Sequence, residues 1–186
     1  INPWFSTVKK INNPDYLAID LDPLDIPFKK VIETAYAVKE VLDRAKAIGY
    51  CKTSGATGVH IYIPLNAKYD FEISREFAHV IAELTRSLVP AITSIERSPS
   101  KRKRKVYIDY LQNRTGQTLA APYSVRPKPA APVSTPLEWK ELKLVDSPEE
   151  FTIKTIFKRL KKKGDLFKGV LGKGVDVEKC LSNLGA

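Results

Sequence analysis

Tyr16-Leu-Ala-Ile-Asp20-Leu-Asp22-Pro23 reads as a short β-strand, closed by a proline that biases Asp22 toward extended geometry. Successive side chains of a strand point to opposite faces. Leu17, Ile19 and Leu21 therefore share one face, and Ala18, Asp20 and Asp22 share the other. The same logic recurs twice downstream. Val59, Ile61 and Ile63 oppose His60 and Tyr62, and Val106, Ile108 and Tyr110 oppose Tyr107, Asp109 and Leu111. Each strand offers an aliphatic face to helices and a second face bearing Asp or His. If these strands are neighbours, Asp20, Asp22, Asp109 and His60 converge on one open side of a sheet.

Between the strands the periodicity changes to that of a helix. Apolar residues at 31, 35, 38, 42 and 45 predict a helix from about Phe28 to Ile48, with Gly49 as its stop. Phe77, Val80, Ile81, Leu84 and Leu88 define a second helix, with Pro90 beyond it. His79 lies off that stripe and reads as a surface histidine. Thr118 to Val125 is a further strand candidate, and the proline-rich stretch Pro127 to Pro136 predicts an extended, surface-hugging connector. The last fifty residues carry a basic helix candidate, Phe151 to Lys163, and a short terminal one near Val177 to Leu184. No internal repeat is visible. The alternation of strand and helix predicts an α+β fold, an α/β sandwich with helices covering one face of the sheet.

Composition limits what such a domain does. The chain has 186 residues, the size of one ordinary domain, with 43% hydrophobic and 28% charged residues. Lys and Arg number 31 against 21 Asp and Glu, a net charge of +10. That surplus points to an acidic partner, with nucleic acid or nucleotide first and a membrane surface second. No apolar run approaches the roughly 18 residues of a membrane span, which excludes an integral helical membrane protein, and nothing at the start reads as a signal peptide. Cys51 and Cys180 cannot build a disulfide framework or a four-cysteine zinc site, so a reducing, cytoplasmic setting is expected. The absence of an initiator Met leads us to expect a processed chain or a segment of a longer one.

Three carboxylates gathered on one surface repel one another, and a cation is the usual remedy. An oxygen-only ligand set favours Mg²⁺ or Mn²⁺ over zinc. Asp-x-Asp alone is a weak signal, since glycosyltransferases use the same spacing. Thr53-Ser-Gly-Ala-Thr-Gly-Val-His60 strengthens it. Backbone N–H groups around Gly55 and Gly58, with the Ser54 hydroxyl, can cradle a phosphate, and His60 follows on the acidic face. The turn lacks the Gly-Lys-Ser/Thr ending of a Walker A loop, and its bland alternative is a plain hairpin. Lys101-Arg102-Lys103-Arg104-Lys105 precedes the third strand. Such a run is either a solvated loop or a track for a DNA backbone. If the strand begins early, Lys103 and Lys105 continue the face of Tyr107 and Asp109.

Taken in order, Asp20-Leu-Asp22-Pro, Ser54-Gly-x-x-Gly-x-His60, Tyr107-Ile-Asp109-Tyr-Leu-Gln-Asn113 and Ala121-Pro-Tyr-Ser-Val-Arg126 resemble the motifs of the polymerase domain of bacterial ligase D. That domain belongs to the archaeo-eukaryotic primase superfamily. Pro136-Leu-Glu-Trp139 and Gly164-Asp165 fit the C-terminal stretch of the same family.

The resemblance implies a primase-like core with a mixed or antiparallel sheet. It also implies a template-directed nucleotidyltransferase that fills gaps during non-homologous end joining, prefers ribonucleotides and uses Mn²⁺. Asp20, Asp22 and Asp109 match the metal-binding triad, and two-metal catalysis follows from it. Ser54 and His60 match triphosphate contacts, Arg126 an arginine of the nucleotide site, and Arg102 one in a mobile loop. The implied partners are gapped or broken DNA, nucleoside triphosphates, a ligase domain and Ku, and the implied location is the bacterial cytoplasm at the nucleoid. The family often carries Lys where this chain has Thr57, and its polymerase domain begins upstream of residue 1. A replicative primase small subunit shares the triad, but those subunits commonly carry a cysteine-rich zinc element that two cysteines do not supply. A nucleic-acid-binding module without catalysis is the remaining alternative.

Overall fold

The computed structural model describes residues 1–102 and 104–186, so Lys103 lies outside the described residues. The elements in chain order are β1 (Tyr16–Pro23), α1 (Phe28–Ala45), β2 (Tyr50–Thr53), β3 (Val59–Pro64), α2 (Phe71–Leu88), β4 (Thr93–Ser94) and α3 (Pro99–Arg102). They continue with β5 (Val106–Asp109), β6 (Pro136–Leu137), α4 (Trp139–Leu142), α5 (Ile156–Lys163) and α6 (Val177–Leu184). Six strands form one mixed sheet in the order β4-β5-β1-β3-β2-β6. Only β4 and β5 run parallel.

The aliphatic faces of the strands pack where alternation places them. Leu17, Ile19, Leu21, Val59, Ile61, Ile63, Val106 and Ile108 are fully buried in one core with the inner stripes of α1 and α2. Val177 and Cys180 of α6 close the same layer. The opposite face is only half open. Phe5, Ala18, Tyr62, Leu119, Phe167 and Val170 form a second cluster over one end of the strands, joined by Tyr16 and Tyr50. Aromatic rings dominate it, with Tyr16 and Tyr62 centroids 4.8 Å apart and Tyr62 and Phe167 5.2 Å apart.

Four boundaries differ from the sequence reading, each for a local reason. Helix α1 stops at Ala45, because Lys46 takes the left-handed conformation and its N–H caps the Leu42 and Asp43 carbonyls. Gly49 serves packing instead: a side chain there meets Leu42, and its carbonyl accepts a 2.8 Å bond from the Trp139 indole. Thr118 to Val125 is not a strand and contributes only isolated bridges, Trp4 to Thr118 and Val125 to Val133. The proline-rich stretch is only half a surface connector, since Val133 to Leu137 are buried and end in β6. Pro136 is tolerated there because β6 is an edge strand. The basic helix begins at Ile156, because Phe151 and Thr152 pair with Val133 and Pro132 first.

Helix α5 is fixed to α4 by ion pairs. Arg159 donates to both Glu141 oxygens, at 3.1 and 2.7 Å, and Lys163 reaches Glu138 at 2.6 Å. The Arg159 hydrogen bond holds the Glu141 carboxyl down to about 2, against its ordinary 4.5. A depressed carboxylate stabilises the fold above its unfolded value, and that contribution is lost as pH falls through the folded one. Glu141→Gln is therefore expected to cost about 1 kcal/mol at neutral pH, as a partly exposed bidentate pair does. It also removes part of the acid destabilisation between pH 4.5 and about 2. Urea melts at several pH values check both.

Candidate active site

The strand register brings the predicted residues into rows. Asp20 of β1 lies opposite His60 of β3 on one side and opposite Asp109 of β5 on the other. His60 lies opposite Lys52 of β2, so one face carries the row Asp109, Asp20, His60, Lys52. Asp22 occupies the next row, opposite Tyr107. Lys52 and His60 of the row are buried, with the Lys52 ammonium 5.5 Å from the Tyr62 ring centre, and the row becomes half-buried only at Asp109, as Asp22 is in the next. Asp20 is only 5% exposed, and its Oδ1 is buried with no hydrogen-bond partner among the described residues. The His60 Nε2 stands 3.4 Å from that oxygen.

Asp109 is held by its own turn. Its Oδ1 accepts from the Leu111 N–H at 2.8 Å and from the Tyr107 hydroxyl at 3.3 Å, and its Oδ2 accepts from Gln112 at 3.1 Å. Asn113 anchors the turn to β1. Its side-chain amide accepts from the Ala18 N–H and donates to the Ala18 carbonyl, both at 2.8 Å. One buried amide thus continues the ladder past the end of β5 and fixes Asp109 against Asp20.

The electrostatics follow from crowding. Burial raises the Asp20 carboxyl well above its ordinary range, and Asp22 and Asp109 push it further. Asp22 is raised by burial and by Asp109, opposed by Arg102, Thr57 and Arg126. Thr57 thus supports Asp22 at the position where the resemblance leads one to look for lysine. His60 and Lys52 are both driven well below their ordinary values by burial. Among the described residues no three acidic, imidazole or thiol side chains stand at ligand spacing, and Asp109 is turned toward Leu111 and Gln112. The donor set nevertheless fits a hard divalent cation. An orphaned carboxylate oxygen and mutual carboxylate repulsion are both relieved by positive charge at this face.

The loop from Ser54 to His60 departs from the expected phosphate cradle. The N–H groups of Ala56, Thr57 and Gly58 converge on the Ser54 Oγ at 3.1, 3.0 and 2.9 Å. Those three amides are thus satisfied inside the loop rather than turned outward. Gly55 has a positive φ of 69°, and a Cβ there comes within 2.9 Å of Arg126 and 2.8 Å of the Ser134 nitrogen. Gly58 lies against the Leu21 carbonyl. Both glycines serve close approach of chains at the site.

Arg126 stands half-buried with its charge felt by Asp20, Asp22, His60 and Lys52, and its side chain has no hydrogen bond or ion pair among the described residues. The Arg102 guanidinium stacks 3.6 Å from the Tyr107 ring centre and bonds to the carbonyls of Glu96 and Arg97. It shares a cleft of about 230 Å³ with Arg97, Asp109, Gln112 and Arg114. Lys101 and Arg104 are exposed. Lys105 does not continue the Tyr107 face, because β5 starts at Val106 and the Lys105 ammonium is bound to the Pro90 carbonyl at 2.9 Å. His79 is half-exposed, stacked on Tyr110 and remote from the row.

Lys52 escaped the sequence reading. Its ammonium is 2.7 Å from the His60 Nδ1 and 2.6 Å from the Ser134 Oγ, and the residue is fully buried. An ammonium donating to Nδ1 leaves the proton on Nε2, the nitrogen that faces Asp20. The available signal was slight, a lysine two positions before Ser54 in the short stretch Tyr50-Cys-Lys-Thr53. Lys52→Met keeps the volume and removes a desolvated charge, so its melt is expected to move by less than about 1.5 kcal/mol. Turnover is expected to fall about tenfold or more as His60 loses its fixed tautomer.

A mixed sheet with the main helices on one face and a row of carboxylates on the other has the archaeo-eukaryotic primase-like fold. The chain belongs to the family of LigD primase-polymerase domains, whose description matches residues 1–167. It is 36% identical over 162 residues to the bifunctional non-homologous end joining protein LigD of Bacillus subtilis, covering 86% of this chain and 26% of that protein. It is 30% identical over 158 residues to the multifunctional LigD of Pseudomonas aeruginosa, covering 84% and 19%. Among solved structures, the polymerase domain of Mycobacterium tuberculosis ligase D in complex with DNA matches with a TM-score of 0.78 and 28% identity, over 88% of this chain and 57% of that one. The chain thus spans about a quarter or less of the curated relatives' length.

Proposed function

We propose that this domain is a template-directed nucleotidyltransferase that fills gaps and extends ends in double-strand break repair by non-homologous end joining. The observation that carries the reading is the facing pair Asp20 and Asp109 beside Asp22, with the buried Asp20 Oδ1 unpartnered. Asp20, Asp22 and Asp109 are the residues to hold Mn²⁺ or Mg²⁺, which when bound supplies charge neutralisation at the attacking 3′-hydroxyl and the departing pyrophosphate. Arg126, whose side chain has no hydrogen bond or ion pair among the described residues, would pair with triphosphate oxygens through its planar fork. Arg102, held over Tyr107, brings a second guanidinium to the Asp109 side. The Lys52–His60 pair brings the His60 Nε2 to 3.4 Å from Asp20, and Gln112 with Asn113 fixes the third carboxylate.

Its substrates on this reading are nucleoside triphosphates and gapped or broken DNA, and its partners are a ligase domain and Ku in the bacterial cytoplasm. Support comes from the relatives, which are bacterial end-joining proteins, and from the M. tuberculosis domain described with DNA. No helix among the described residues is long and apolar enough to cross a membrane. Family membership weighs against a replicative primase small subunit. Primer extension on a gapped duplex tests the proposal. Template-matched addition is expected in Mn²⁺, with UTP used more efficiently than dTTP. Binding of DNA without addition of any nucleotide makes the domain a non-catalytic module instead.

A further inference from the structure

The basic helix singled out in the sequence takes no part in the active site. Helix α5 turns Ile156 inward and commits Arg159 and Lys163 to Glu141 and Glu138. Its outer side carries Lys158, Lys161 and Lys162, with Lys154 just before the helix, all exposed. None of these four ammonium groups has an ion pair or hydrogen bond among the described residues. Among them stands Phe157, which is 73% exposed. It stands on the outer side of the helix, with exposed Ile153 four residues before it and Lys161 four residues after. Four unneutralised cations around one bare aromatic ring match the two needs of an unpaired strand, phosphate neutralisation and a surface for base stacking.

The segment that leads into the helix is tied by backbone bonds to the stretch that pairs with Arg126. Arg126 pairs through its backbone with Pro132, and Pro132 in turn bridges to Thr152, with Ile153 bonded to Ala131. Two such spacings put Thr152, two residues before Lys154, about 10 Å from the Arg126 backbone. Lys158 and Lys162 lie one helical turn apart, about 6 Å along the axis. A membrane surface is disfavoured, because the apolar stripe of α5 faces the protein and leaves only Phe157 and Ile153 outside.

We propose that the outer face of α5 is an accessory site for single-stranded nucleic acid, with Lys154, Lys158, Lys161 and Lys162 contacting phosphates and Phe157 stacking on an unpaired base. This deepens the reading of a DNA-directed domain without resting on catalysis, because the test reads binding alone. The probe is fluorescein-labelled oligo(dT), titrated with the full chain by anisotropy at several salt concentrations. Replacing all four lysines with serine is expected to weaken binding and to flatten the salt slope by about 0.7 log units for each phosphate no longer neutralised. Phe157→Ala is expected to weaken binding roughly 5- to 100-fold with the slope retained. That second loss disappears on an abasic oligonucleotide. Thermal melts of both variants should match the parent, since every changed side chain is exposed. An unchanged slope in the lysine variant overturns the proposal, as does an equal effect of Phe157→Ala on the abasic strand. Loss confined to blunt duplex, or to vesicles of anionic lipid, with oligo(dT) binding intact, also overturns it.

Discussion

Asp20→Ala is expected to lower nucleotide addition at least about a hundredfold, equivalent to about 2.7 kcal/mol of transition-state stabilisation, while leaving the fold intact or more stable. Asp20 sits at the centre of the acidic row, with Asp109 across one ladder and His60 across the other. It lies on the face away from the helices, so truncation opens no cavity in the aliphatic core. The gain in stability has a definite pH dependence. Burial and the neighbouring carboxylates raise Asp20 above its ordinary 3.8, so the folded chain holds a proton that the unfolded chain has released. The parent's stability then falls as pH climbs from about 3.8 through the raised folded value, and the alanine variant lacks that fall. Metal-free urea melts should show the two proteins converging near pH 4 and the variant ahead at neutral pH. Primer extension above a few per cent of the parent, with an unchanged melt, removes Asp20 from the site.

Gly58→Ala is expected to have the largest effect on the fold, about 2–3 kcal/mol or roughly 5–10 °C in Tm. A Cβ at this position falls inside contact distance of the Leu21 carbonyl, and no flexible side chain is there to move aside. The backbone of β1 or β3 has to shift just where Leu21 pairs with Val59, next to Asp20 and Asp22. Stability and turnover should therefore fall together. Gly116→Ala is the control: Gly116 has a positive φ of 79°, which Gly58 does not, but nothing lies within 4 Å of a new Cβ, and about 1 kcal/mol is the expected cost of backbone strain alone. If the two variants melt alike, steric contact with Leu21 is not what requires glycine at position 58.

Strands β1, β3 and β5 were legible because each carries enough alternating residues to show two faces, and those faces place Asp20, Asp22, Asp109 and His60 on one side. Strand β6 was not, with two residues, and neither was β2, whose Tyr50-Cys-Lys-Thr53 lacks the aliphatic alternation that the equally short β5 shows. Missing β2 hid Lys52, since a lysine is recognised as buried only when its neighbours across the ladder are known. Ser134 was hidden for the same reason, inside a stretch whose prolines read as surface connector. The inward turn of the Ala56, Thr57 and Gly58 amides depends on a single side-chain rotamer at Ser54, which no sequence spacing encodes. Helix α1 ended early because Lys46 adopted a conformation usually left to glycine, and the better sequence signal three residues later was used for packing.

The central claim is that the row of carboxylates holds divalent cations for nucleotidyl transfer. Titration of the protein with Mn²⁺ in the presence of a nucleoside triphosphate, followed by loss of the free-ion paramagnetic signal, tests it most directly. Uptake of about two ions per chain above that of the nucleotide alone is predicted, with uptake lost in Asp20→Ala and in Asp109→Ala. Equal Mn²⁺ uptake by the parent and both variants contradicts the account.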